Sequence, residues 1–222
     1  HNLTVVLPET VAREKLEKIK ALGVKIILHS NDSGVAEQHA QKLAKEQGKI
    51  YVSPYNDPQI IAGQGTLAIE LLDQLPRLDV VYISIGGGGL ISGIGCVLKA
   101  FSPKTRVVGV SAKNSAELAA SIRAGKMVKV DHYETLADGC AGGVDNDTIT
   151  LGLGSEVIDD LIDCSEGQIE VGLQQIAWNE KMLVEGSAGL AYAAWQEDAS
   201  NNKNKISAVV LCGANFDKET LS

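Results

Sequence analysis

No apolar run in these 222 residues approaches the roughly 20 residues that a membrane-spanning helix requires. No basic cluster is present either, and the formal net charge is −8, which argues against nucleic-acid and anionic-membrane partners. Cysteine is scarce. Cys96, Cys140, Cys164 and Cys212 lie far apart in apolar stretches without C-x-x-C spacing, so no metal site is expected. Free thiols fit a reducing, cytoplasmic setting better than a disulfide framework. Internal repeats are lacking. The opening His1-Asn-Leu-Thr has neither the basic region nor the cleavage site of a signal peptide, and the chain starts abruptly before a strand.

Apolar residues make up 45% and charged residues 22%, as in an ordinary folded protein able to build a core without staples. Strand-like and helix-like stretches alternate. Strands are expected at 3–7, 24–28, 50–53, 79–85, 106–111, 161–164 and 207–212. Helices are expected at 9–21, 35–47, 65–75, 90–100, 115–124, 149–159, 168–181 and 188–196. Such alternation predicts an α/β fold with parallel sheets covered by helices. The strands are apolar on both faces, as buried parallel strands are. Pro54-Tyr-Asn-Asp-Pro58 is a turn-rich break, giving a small domain over 1–53 and a larger one over 54–222. The polar run Ser200–Lys205 reads as a surface loop.

The densest signal is Gly86-Gly87-Gly88-Gly89, set between the apolar run Asp79–Ile85 and the helix-like Leu90–Ala100. Four glycines weaken an empty loop through chain entropy, so a compensating use is expected. At a helix N-terminus their amides suit an anion, above all a phosphate. Each charge-assisted bond to a phosphate oxygen contributes about 1.5–3 kcal/mol. A dinucleotide fingerprint fits poorly: read from Gly86, Ile91 stands where the third glycine belongs, and the next strand ends in Val110-Ser-Ala. A P-loop would need G-K-[ST], and Gly89-Leu-Ile lacks it. Ala137-Asp-Gly139 and Cys212-Gly-Ala-Asn215 also fall at element ends, which predicts one shared pocket beyond the C-terminal ends of the strands.

Five segments in order carry a more specific resemblance: Ile61-Ala-Gly-Gln-Gly-Thr66, Gly86–Leu90, Glu134-Thr-Leu-Ala-Asp-Gly139, Val184-Glu-Gly186 and Leu211-Cys-Gly-Ala-Asn215. Together the chain resembles the threonine/serine dehydratase and serine racemase group of pyridoxal-phosphate enzymes, relatives of the tryptophan synthase β-subunit. The resemblance implies the two-domain fold type II with pyridoxal 5'-phosphate as cofactor. It places Gly86, Gly87, Gly88, Gly89 and the Leu90 backbone on the phosphate. Gly139 would lie beside the ring, Glu185 near the reacting edge and Cys212 opposite the pyridine nitrogen, with Tyr55 and Asn56 bordering the pocket. A thiol is a weak donor and, unlike an aspartate, does not hold that nitrogen protonated. Rapid loss of a β-substituent suits such a ring better than transamination.

Glu185 reads equally as a helix cap. His29, His39 and His132 have no ligand spacing and read as surface or turn residues. The stretch matching a divalent-metal site of some relatives carries Ser111 in place of a carboxylate and keeps only Glu117, so no metal is assigned.

The lysine that carries the cofactor as a Schiff base, in an S-x-K-x-R-G-like motif, has no counterpart here, nor has an S-G-N-H-G-like motif. No catalytic residue is therefore assigned, and the chain reads as an N-terminally incomplete piece. The activity implied for the complete protein is elimination of water from an L-threonine- or L-serine-type amino acid, followed by release of ammonia. A homodimer is implied as well. The alternative reading is a non-catalytic phosphate-ligand binding or regulatory homologue. A nicotinamide oxidoreductase is the third.

Overall fold

A computed structural model describes residues 3–215, which form two compact units: the residues up to Ser53 together with Asn215, and Pro54–Ala214. The first holds β1 (Thr4–Leu7), α1 (Arg13–Ala21), β2 (Lys25–Leu28) and α2 (Ser33–Glu46). The two strands are parallel, with Thr4 opposite Lys25 and Leu7 opposite Leu28. Asp32 caps α2 by accepting from the Val35 amide at 2.9 Å, satisfying one of the donors a helix start leaves free. The expected strand at 50–53 does not form. Ile50 and Val52 are exposed there, so local β-propensity finds no sheet to join. The helix expected from Glu9 begins only at Arg13.

The second unit contains α3 (Pro58–Gln74), β3 (Val80–Ser84), α4 (Gly89–Phe101), β4 (Arg106–Ala112), α5 (Glu117–Ala124), α6 (Ile149–Val157), β5 (Asp160–Cys164), α7 (Glu166–Gln175), α8 (Gly186–Glu197) and β6 (Ser207–Val209). Its sheet is wholly parallel in the order β5-β4-β3-β6. Every residue of β3 is buried. Its side chains alternate between two cores: Val81 and Ile83 join the side with Ile91, Ile94 and Leu98 of α4, whereas Val80 and Tyr82 join the side with Leu190, Ala191 and Ala194 of α8. The architecture is the α/β class with helix-covered parallel sheets.

Several boundaries differ from the sequence expectation. Helix α3 starts seven residues early, because Asp57 accepts from the Gln59 and Ile60 amides and Pro58 occupies the first turn. Helix α7 gives way to a π-helical turn at Ile176–Glu180, ending at Lys181 with φ 57°. Strand β6 stops at Val209, short of Cys212. The polar run after α8 is more than a surface loop: Asn202 donates to the buried Tyr82 hydroxyl at 2.7 Å, and that hydroxyl donates to Asp198 at 2.5 Å. Arg106 closes this network on Asp198 at 2.7 Å. Cys140 and Cys164 are buried, but Cys96 and Cys212 are exposed, contrary to their apolar sequence context. No helix among the described residues is long and apolar enough to cross a membrane.

Candidate functional site

The glycine turn leaves the C-terminal end of β3, the strand flanked by β4 and β6, and opens directly into α4. Gly88 is the N-cap, with φ 86°, a left-handed conformation that glycine adopts without steric cost. No side chain caps α4, and the amides of Gly86, Gly87, Gly88, Gly89 and Leu90 have no acceptor among the described residues. Gly86, Gly87 and Leu90 remain half-buried rather than sealed.

The turn is fixed from behind. A Cβ on Gly87 would fall 2.3 Å from the Tyr55 ring, and one on Gly88 would fall 2.4 Å from Leu118 Cδ2. A Cβ on Gly89 would meet the Tyr55 backbone at 2.9 Å. Thr150 Oγ1 donates to the Gly87 carbonyl at 2.7 Å. Carbonyl and side-chain directions are thus occupied by the protein, and the donors are left over. A row of unpaired amides at a helix start fits a phosphate group in chemistry and in field.

Other sequence-nominated residues converge nearby. The Cys140 backbone lies against Gly86, where a Cβ would come within 3.0 Å of its Cα. Gly139 is exposed and faces Ser187 and Glu185; a Cβ there would meet Ser187 Oγ at 2.9 Å and Glu185 Oε1 at 3.3 Å. The Glu185 carboxylate also lies on Gly213, and its amide donates to the Gly213 carbonyl at 3.0 Å. Glu185 occupies the N-cap position of α8, but its side chain makes no capping bond. The start of α8 is driven against Leu136 and Ala137, since a Cβ on Gly186 would overlap the Leu136 carbonyl. In this way the segments 86–90, 137–140, 185–187 and 212–213 form one cluster. Among the described residues, the atoms nearest to Gly86–Gly89 belong to Cys140, Tyr55, Leu118 and Thr150.

The thiols here are held neutral. Burial pushes Cys140 up to about 12, and the charges of Cys212 and Glu185 add to the effect. Crowding followed by the Glu185 charge pushes Cys212 up to about 11, although the residue as a whole is exposed. Cys212 therefore presents S–H, a weak donor, rather than a thiolate.

Tyr55 and Asn56 anchor the 138–148 loop to this centre. Tyr55 Oη accepts from the Asp145 amide at 2.9 Å, and Asn56 bonds both Asp145 Oδ2 at 3.2 Å and the Ile149 amide at 3.0 Å. Sequence reasoning missed Thr150, Cys140, Leu118 and Ser187, of which only Cys140 had a local signal, its place next to Gly139. His132 is exposed, as expected, but its ring also bonds Ser115 at 2.8 Å and the buried Glu117 at 3.1 Å. His29 and His39 stack, with ring centroids 4.0 Å apart.

Residues 1–213 match the family described as pyridoxal-phosphate dependent enzyme. The chain is 33% identical over 214 residues to an L-threonine ammonia-lyase of Thermotoga maritima, covering 96% of this chain and 53% of that protein. Among solved structures, the processed form of threonine deaminase isoform 2 from Solanum lycopersicum superposes with a TM-score of 0.89 at 29% identity, over 98% of this chain and 64% of that one. Maize serine racemase superposes with a TM-score of 0.88 at 28% identity, over 98% and 67%. The chain thus spans about half the length of the Thermotoga relative.

Proposed function

The chain belongs to the pyridoxal-phosphate dependent enzyme family, and on that premise we propose that the intact protein deaminates L-threonine or L-serine. The observation that carries this reading is the row of unpartnered amides at the start of α4, set beside Glu185 and the neutral Cys212. In this reading Gly86–Gly89 and the Leu90 amide hold the cofactor phosphate. Gly139, having no side chain, leaves room beside the ring. Cys212 offers a neutral S–H toward the ring nitrogen and does not transfer its proton there. Glu185 stands at the reacting edge and orients the amino acid.

Bound cofactor supplies an electron sink that makes the substrate α-proton removable. In the family that the chain resembles this proton goes to a lysine, and none of the described residues is assigned that part. Loss of the α-proton and the β-hydroxyl as water gives an enamino acid, and hydrolysis of its imine tautomer by one water yields the 2-oxo acid and ammonia. The relative named L-threonine ammonia-lyase and the solved threonine deaminase support elimination. The same reading carries a cytoplasmic homodimer.

The test is incubation of the intact protein with pyridoxal phosphate and each amino acid. We expect 2-oxobutanoate from L-threonine or pyruvate from L-serine, with one ammonia per oxo acid. D-serine in place of oxo acid establishes a racemase and overturns the reading. Cofactor binding with neither product establishes a binding homologue instead.

A further inference from the structure

We propose that Glu117 is a positioning residue for the cofactor site, acting through the Val144 peptide to hold the 138–147 loop against the glycine turn. This rests on reading that turn as the phosphate cradle.

Glu117 opens α5, and its carboxylate is 1% exposed. Oε1 accepts from the Val144 amide at 2.9 Å and from Lys129 Nζ at 2.9 Å. The same ammonium donates to the Val144 carbonyl at 3.2 Å, so a carboxylate and an ammonium hold the two peptide groups that flank the Val144 Cα. Oε2 faces His132 Nε2 at 3.1 Å. His132 Nδ1 lies 2.8 Å from Ser115 Oγ, which accepts from the Gly142 amide at 3.0 Å. A neutral imidazole with its proton on Nε2 satisfies the whole chain: Gly142 N–H to Ser115, Ser115 O–H to Nδ1, Nε2–H to Glu117. Burial pushes the Glu117 carboxyl up, but the Val144 amide, Lys129 and His132 outweigh it and hold the group below its usual value.

Two loop amides, Gly142 and Val144, are thus tied to the cluster of Glu117, Lys129, His132 and Ser115. The loop meets the glycine turn on either side of them. Upstream, Cys140 packs on Gly86; downstream, Asp145 bonds the Tyr55 hydroxyl, whose ring covers Gly87. Leu118, the next residue along α5, fills the space over Gly88. Displacing the Val144 peptide therefore shifts both supports of the amide row. A buried carboxylate costs desolvation unless fully paired, and a simple core site would be served by an apolar side chain. Here the charge sets the position of one peptide within a loop lacking regular structure over most of its length.

The test compares the intact wild type with Glu117→Gln and Lys129→Met. Dissociation constants are measured for pyridoxal phosphate by fluorescence and for inorganic phosphate by 31P NMR, at temperatures well below unfolding. Glu117→Gln keeps the volume but sets an NH2 against Lys129 or His132. We expect it to weaken both ligands about tenfold, the scale of one lost hydrogen bond to a charged group. Lys129→Met changes a side chain 63% exposed and leaves Glu117 its bonds to Val144 and His132, and is expected to weaken both about threefold. Unchanged affinities in Lys129→Met, or in a folded Glu117→Gln whose only defect is a lower Tm, overturn the positioning role. Failure of the wild type to bind either probe overturns the cradle reading instead.

Discussion

The Tyr55 ring lies directly on Gly87, closer than any side chain at position 87 permits, since a Cβ would fall 2.3 Å from the ring carbon Cγ. Gly87→Ala must therefore displace Tyr55 and, with it, the Asp145 amide bonded to the Tyr55 hydroxyl. Such overpacking costs about 1–3 kcal/mol. We expect a lower Tm by calorimetry and a larger relative loss of pyridoxal-phosphate affinity, because the displaced element is the backing of the amide row.

Thr150 holds the same residue from its carbonyl side at 2.7 Å. Thr150→Val keeps the shape but deletes that bond and the 2.8 Å bond between the Thr148 and Thr150 hydroxyls, at a cost of about 1 kcal/mol each. The expected result is a Tm lower by roughly 4–8 °C. Phosphate binding, measured by 31P NMR, should weaken severalfold while Gly87→Ala weakens it more.

The legible part of the molecule was the local part. An unbroken apolar run followed by glycines marked β3, the turn and α4 within a residue or two, because burial on both faces leaves no other pattern for the strand. Asp57-Pro58 carried a helix-start signature as well as a break, and only the break was read, so the first turns of α3 went unseen. The strand expected at 50–53 failed for the opposite reason: β-branched residues without a pairing partner stay coil. At the site, glycines announced themselves, but their supports did not. Thr150 is 63 residues from Gly87, Tyr55 is 90 from Asp145, and Glu117 is 27 from Val144. Pairs separated in this way leave no periodicity to read.

Cys212 is exposed yet held at about 11 by its surroundings and by Glu185. An ordinary thiol ionises near 8.5, so at pH 8 Cys212 should alkylate with iodoacetamide on the order of a hundredfold more slowly than a small free thiol. Glu185→Gln removes the neighbouring charge and should speed labelling at this position, read by peptide mass spectrometry. Equal rates in the two proteins would dismiss the electrostatic part of the explanation.

Asp198, buried at 7% exposure, accepts from Tyr82 and pairs with Arg106. Burial pushes its carboxyl up, but Tyr82, Asn201 and Arg106 outweigh this and hold it below its usual value. The folded-state value thus lies under the unfolded one of about 3.9, so the stabilisation is complete above that pH and drains away as pH falls through the folded value. Arg106 keeps its pair with Asp160, so Asp198→Asn should cost about 1–3 kcal/mol in urea unfolding at pH 7, the scale of a lost hydrogen bond to a charged group. The gap between variant and wild type should narrow steadily below about pH 4.

The grip assigned to residues 86–90 is composed of peptide N–H groups alone, with no guanidinium, ammonium or imidazole in the row. Peptide groups do not ionise in any solution an enzyme meets. The row itself consequently offers the same donors in mild acid as in mild base, and in that direct contact the titrating partner is the guest, a phosphate monoester whose second proton leaves near pH 6.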